Sequence, residues 1–220
     1  MVLLAWTIHA TATMVVDRTI IRFEAGEPSR QDVLITNNGA ETLYLKVEVF
    51  EVKDPGTPSE RREKPTDPSA ITLLATPNKM IVPSGGRKLI RLVNLGGHEL
   101  ERIYRVNVTP VVGELKATGM TVNVVVAYQL LVIVAPGEPV IDLDYERTGK
   151  RATFKNHGNT NALLHGGEQC PADPNSSSNC VKLEAHRIYA GNVWELELPF
   201  DTPFEYSLTI GEAHSRRRFD

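Results

Sequence analysis

Residues Thr121 to Val134 (TVNVVVAYQLLVIV) put apolar side chains on both faces of an extended chain. One parity carries Val122, Val124, Val126, Tyr128, Leu130, Val132 and Val134; the other carries Thr121, Asn123, Val125, Ala127, Gln129, Leu131 and Ile133. An antiparallel strand usually buries one face and wets the other, so this segment needs a second cover. It also exceeds the usual five or six residues, and a long apolar edge left bare would aggregate. Three covers are open: the rest of the chain packing over its last turns, a second copy pairing edge to edge, or another protein to which the strand is lent. In the last case backbone hydrogen bonds give affinity and alternate side chains fill pockets. At about 1.5–3 kcal/mol per fully buried Val-sized side chain, Val122, Val124 and Val126 would contribute several kcal/mol.

Elsewhere too the chain reads as strands. With 41% apolar and 23% charged residues in 220, it is neither disordered nor fibrous. A net charge of −3 leaves no excess of Lys or Arg to neutralise phosphates, so no nucleic-acid partner is expected. Beyond the first dozen residues no apolar run approaches the roughly 20 needed to cross a bilayer, so the body is expected to be soluble, without membrane insertion. Period-two alternation recurs between Gly, Pro, Asn and Asp punctuation over Met14–Phe23, Gln31–Asn37, Leu43–Val52, Ile71–Thr76, Arg87–Leu95, Arg102–Val112 and Thr121–Val134. Lys53–Ser69, rich in proline and charge, reads as an exposed loop. Seven short strands within about 120 residues suggest an immunoglobulin-like sandwich.

Pro136 and Pro139 with Gly137 cannot continue a central strand, which places a domain boundary there. Beyond it Val140–Tyr145, Arg151–Asn156, Ala162–His165, Val181–Ile188, Asn192–Leu198 and Phe204–Thr209 form a second, smaller β-domain. The expected fold is therefore all-β: two immunoglobulin-like β-sandwich domains, 13–135 and 136–220, joined by a short Pro/Gly linker in an L shape. Arg216–Arg218 reads as a solvated basic end.

Met1–Ile8 is apolar and Ala10-Thr11-Ala12 has the small-x-small form of a signal cleavage site, so residues 1–12 read as a signal peptide remnant. A basic n-region is missing, so either a longer signal begins upstream or the segment is a buried strand. Cys170 and Cys180 flank a turn-rich stretch and agree with export as a disulfide; free thiols are the plain alternative. Zinc with His157, His165 or His186 ranks lower, because CxxC and HxxxH spacings are absent, so no metal is expected.

The order of local patterns resembles the periplasmic chaperones of the chaperone/usher pathway, the PapD-like superfamily. The likeness runs through Asp17-Arg18-Thr19 and Phe23-Glu24-Ala25-Gly26, Thr36-Asn37-Asn38, Thr76-Pro77, Val82-Pro83, Arg91-Leu92, Glu101–Val108 and the long strand ending at Pro136. In the second domain Asn156–Ala162 resembles the family's Asn-rich strand turn. The resemblance implies a periplasmic protein that, by donating its last first-domain strand, holds a pilus or fimbrial subunit folded and delivers it to an outer-membrane usher. Val122, Val124, Val126 and Tyr128 match the donor residues. The free protein could also cap that strand by self-association. No cofactor and no covalent chemistry are implied.

The family's basic anchors for the subunit carboxylate fall here on Ile20 and Leu131, which cannot bind one. Arg18 and Arg22 flank Ile20 on the same side of a strand, and with Arg105 they are the replacement candidates. Arg91 with Glu101 is the candidate interdomain charge pair. No GxSxG, Walker, HExxH or dinucleotide motif occurs, and no base, nucleophile and orienter cluster, so an enzyme is not expected. The alternative from another class is a two-domain immunoglobulin-like cell-surface structural or adhesive protein.

Overall fold

A computed structural model describes residues 14–27, 29–111, 125–172, 179–211 and 213–220. The expected signal, residues 1–12, and the donor candidates Val122 and Val124 lie outside the described residues. The chain is all-β. In its first part come β1 (Met14–Val16), β2 (Ile20–Phe23), β3 (Arg30–Asn37), β4 (Leu43–Lys53), β5 (Arg61–Glu63), a 3-10 turn at Pro68–Ala70, β6 (Leu73–Thr76), β7 (Lys79–Val82), β8 (Arg87–Asn94), β9 (Arg102–Pro110) and β10 (Tyr128–Val134). They make two facing sheets, β1-β3-β8-β6 and β2-β10-β9-β4-β5, with β7 also on β4. Alternation decides which side chains meet: Leu45 and Val47 of β4, Ile90 and Leu92 of β8, Tyr104, Val106 and Val108 of β9 and Leu130 and Val132 of β10 fill the space between.

The second part holds β11 (Leu143–Thr148), β12 (Arg151–Asn156), β13 (Ala162–Gln169), β14 (Val181–Leu183), β15 (His186–Ile188), β16 (Val193–Glu197), β17 (Phe204–Ile210) and β18 (Ala213–Phe219). Sheet β11-β12-β16 packs on sheet β14-β13-β17-β18, with β15 pairing β13. Its core is aromatic: Phe154 stacks on Trp194 at 5.5 Å and Phe204 on Phe219 at 5.2 Å. Such pairs add about 0.5–1.5 kcal/mol beyond area burial.

Several elements differ from the expectation. Met14–Phe23 is two strands in different sheets. Asp17 closes the ladder to β3, its amide donating to the Leu34 carbonyl and its Oδ1 accepting from the Leu34 amide; Thr19 then accepts from Leu131 in the opposite sheet. Within Lys53–Ser69, β5 pairs with β4. After the cis Thr76-Pro77 bond, β7 pairs with β4 as well. The basic tail is the edge strand β18, pinned through buried Phe219. Its outward arginines blunt that edge against further pairing.

Two buried asparagines repeat one construction. Asn37 donates from Nδ2 to the carbonyls of Glu41 and Val82 and accepts from the Gly39 amide; Asn156 donates to Thr160 and Ile188 and accepts from Gly158. Each closes its own turn and also ties it to a distant strand.

Cys170 and Cys180 form a disulfide. Closing so short a loop constrains the unfolded chain by up to about 3 kcal/mol. The Cys170→Ser/Cys180→Ser variant is expected to lower second-sandwich stability by up to that amount in urea titrations, and an unchanged midpoint would show that the loop adds nothing.

Two histidines set a pH dependence. His186 lies flat on Trp194 at 4.6 Å, and burial pushes its pKa below 6.5 against the opposing pull of Glu184. His98 buries an Nε2 with no hydrogen-bond partner among the described residues; burial, then the like charge of Arg102, pushes it down against Glu51. Lowered folded-state values mean that the unfolded chain binds more protons, so this stability is full above about pH 6.5 and is lost as pH falls through the folded-state values. Asp32 and Glu48, also lowered, act only below the carboxylate range. Unfolding free energy is expected to decline from pH 7 to pH 5, less steeply in His98→Gln and His186→Gln; equal slopes in all three proteins would contradict this.

Candidate functional site

Strand β10 has a partner on one side only for part of its length. It pairs with β9 antiparallel throughout, from Tyr128 opposite Val108 to Val134 opposite Arg102. With β2 it pairs in parallel only from Leu131 opposite Ile20 to Val134 opposite Phe23. Leu131 donates its amide to Thr19 and Ala135 donates to Phe23, so the odd positions turn their backbone polar groups toward β2. Gln129 is the next odd position, and no residue of β2 lies opposite it. Among the described residues the edge is open from there toward the N-terminal end, an arrangement that accepts an added strand.

The side chains continue the same logic. Val134, Val132 and Leu130 are fully buried in the first core; Tyr128 packs against it and donates its hydroxyl to the Met14 carbonyl. Ahead of them Val126 is half-buried while Val125 and Ala127 are exposed, so the alternation persists beyond the end of the strand. The expected strand over Thr121–Val134 is thus described as a strand only from Tyr128. Of the donor candidates, Tyr128 is committed to the chain's own core and Val126 stands at the open end.

The odd face has its cover within the chain. Ile133 forms a cluster with Val52, Ile103, Leu131 and Tyr189, the last from the second sandwich. Two rows cross the sheet beneath it: Arg22–Ile133–Ile103–Val52 and Ile20–Leu131–Arg105–Phe50. Ile20 and Leu131, the positions on which the resemblance places the anchors, are therefore neighbours, and Ile20 is 51% exposed. Arg105 lies one strand away and Arg22 two residues along. Arg105 buries an Nε without a hydrogen-bond partner, and Arg22 has no ion pair among the described residues. Two residues the sequence reading missed join them. Tyr189 and Arg187 alternate with core residue Ile188 and so face the first sandwich. Burial, then the like charge of Arg22, pushes the Arg187 guanidinium below its ordinary range.

Two candidates fall elsewhere. Arg18 lies outside β2; it pairs with Asp17 at 3.7 Å and donates to the Asp32 carbonyl of β3, because the chain is still crossing between sheets there. Arg91 and Glu101 are not a pair. Arg91 grips Asp32, its cross-strand neighbour, with two bonds of 2.9 Å. Glu101 does reach the second sandwich, accepting from Thr160 Oγ1 at 2.9 Å, the Asn161 amide at 3.1 Å and Asn161 Nδ2 at 2.5 Å. The Asn161 side chain in turn accepts from Arg187. Asn159 adds bonds to the carbonyls of Glu99 and Glu138.

An open strand edge with an apolar face, next to a group of guanidiniums, can pair with a peptide backbone and hold a carboxylate. Among the described residues no three or more His, Cys, Asp or Glu are placed to hold a metal ion, and no helix is long and apolar enough to cross a membrane.

No family model matches the sequence. It is 28% identical over 178 residues to a CS1 fimbrial subunit of Escherichia coli, covering 76% of this chain and 74% of that protein. In structure it is similar to the class 5 fimbriae chaperone CfaA, with a TM-score of 0.67 and 24% identity over 93% of this chain and 98% of the other. It is also similar to a chain of the Salmonella enterica SafA pilin–SafB chaperone complex, with a TM-score of 0.64 and 13% identity over 96% and 98%. The fold, two β-sandwiches, is that of these solved fimbriae and pilus chaperone structures.

Proposed function

We propose that the chain is a periplasmic chaperone that binds pilus or fimbrial subunits on the open edge of β10, shields them and passes them to an outer-membrane usher. The observation that carries this reading is the even face of β10. It leaves the chain's own core at Leu130 and Tyr128 and continues at Val126, where no β2 residue completes the backbone pairing. A subunit lacking a strand would extend the sandwich there, with Val122 and Val124 continuing the series. Arg22 and Arg105 are the anchor for the subunit's C-terminal carboxylate in place of the family's basic pair. The first domain spans 13–135 and the second 136–220. The likeness in fold to CfaA and SafB supports this reading, as does the sequence similarity to a fimbrial protein.

The name of that relative favours a second reading, in which the chain is itself a structural or adhesive subunit. Against it, both cores are closed: Leu130, Val132 and Val134 are 0–1% exposed, and so are Phe154, Leu164 and Tyr206 of the second sandwich. A protein awaiting a donated strand would leave a groove at such positions. Co-expression with a fimbrial subunit and purification from the periplasm decides between the readings. A one-to-one complex, dissolved by a peptide carrying another subunit's N-terminal extension, is expected; chains that only assemble with one another would overturn the proposal.

A further inference from the structure

Three arginines from two sandwiches lie around one outer face of the first sheet, where β2 and β9 flank β10. Arg22 and Arg105 stand on the outer face of one sheet, separated by Ile133 and Leu131. Tyr189 of the second sandwich sits on Val52, Ile103 and Ile133 of that face, and Arg187, two residues back, shares its direction. Burial raises the Tyr189 hydroxyl pKa against the pull of Arg187 and then Arg105, which puts both cations near one phenol. The acids that face this group are Glu101 and Glu60. Glu101 is already engaged by Thr160 and Asn161. Arg187 has one hydrogen-bond partner among the described residues, the Asn161 side chain, and the Arg105 Nε has none. Donors and positive charge thus exceed what the described residues supply to meet them.

We propose that a carboxylate held here is clasped by both sandwiches at once, with Arg187 from the second completing a site begun by Arg22 and Arg105 of the first. The clasp rests on the anchor reading and adds a consequence which that reading lacks. Occupancy relieves like-charge repulsion across the junction, so carboxylate binding and the docking of the two sandwiches are linked and each strengthens the other. The free protein holds a looser junction, and the loaded one melts as a single unit.

The linkage can be read without any subunit, using N-acetylalanine as carboxylate probe and its amide as control. At about tenfold over its dissociation constant the free acid should raise the melting midpoint of the purified chain by about 2–4 °C over the amide. Arg105→Gln and Arg187→Gln should abolish that rise. Arg187→Lys should keep part of it, and Arg18→Gln should keep all of it. In the unmodified chain the Nε–Hε resonances of Arg105 and Arg187 should shift with one common midpoint. A rise that survives Arg187→Gln, or an Arg187 resonance that stays still while Arg105 moves, overturns the clasp and leaves the first-domain anchor standing. Failure of the chain to hold any subunit, with the acid-dependent rise intact, would instead overturn the chaperone reading.

Discussion

Asn156→Asp is expected to destabilise the second sandwich by about 4 kcal/mol, a large share of what a domain of this size possesses. The two side chains have the same shape, so packing is conserved and only the chemistry of one atom changes. Nδ2 faces the carbonyls of Thr160 and Ile188 at 2.8 and 2.9 Å, in a place where the residue is 3% exposed. An oxygen there leaves two buried carbonyls without donors, at about 1–3 kcal/mol each, and adds a desolvated charge. The Gly158 amide satisfies one carboxylate oxygen and offsets little of this. Because a protonated carboxyl can donate one bond, part of the loss should return on mild acidification, opposite in sign to the histidine effect. Asn37→Asp should act the same way on the first sandwich, through Glu41 and Val82, whereas exposed Asn38→Asp should be nearly silent. Urea titrations of the three variants check this, and a loss below about 1 kcal/mol at Asn156 would show that the bonds are not holding the turn.

Those asparagines mark how far a linear reading reaches. As turn formers, Asn37-Asn38-Gly39 and Asn156-His157-Gly158 are plain in the sequence, because turn chemistry is local. Their second bonds run to Val82 and Ile188, 45 and 32 residues away, and nothing local announces them. Strand alternation is legible for the same reason: which side chains share a face follows from a period of two, and β4, β9 and β10 follow it. Which neighbour a face meets depends on pairing between segments far apart. The parallel join of Ile20 with Leu131 is of that kind, and so is the crossing at Asp17 that carries Arg18 to the other sheet. Arg91 and Glu101 look like partners when charges are counted along the chain. In register, Asp32 stands opposite Arg91 and gives it two bonds, while Glu101 faces backbone and side-chain donors in Thr160 and Asn161. Arg187 was invisible as a site residue because His186-Arg187-Ile188-Tyr189 shows a shared direction for Arg187 and Tyr189 but not what they point toward.

Parity supplies the sharpest check on the donor edge. Val126→Asp should weaken the affinity for a fimbrial subunit at least 100-fold while moving the free protein's stability by less than about 1 kcal/mol. The first figure combines the loss of a Val-sized burial, about 1.5–3 kcal/mol, with the penalty for placing a carboxylate in a partner's apolar groove. The second follows from its position: half-buried, ahead of the strand, outside the first core. Val125→Asp introduces the same charge one residue away, at a side chain of the opposite parity that is 48% exposed. If the partner's groove receives the even side chains, Val125→Asp should bind within about threefold of the unmodified chain, since a one-residue step reverses the face entirely. Surface plasmon resonance against one immobilised subunit, refolded in the presence of each variant, separates the two. Equal loss in both would mean that charge near the edge is repelled whatever its direction; no loss in either would mean that the partner docks elsewhere. Only the unequal result requires a strand whose alternate side chains leave one core and enter another.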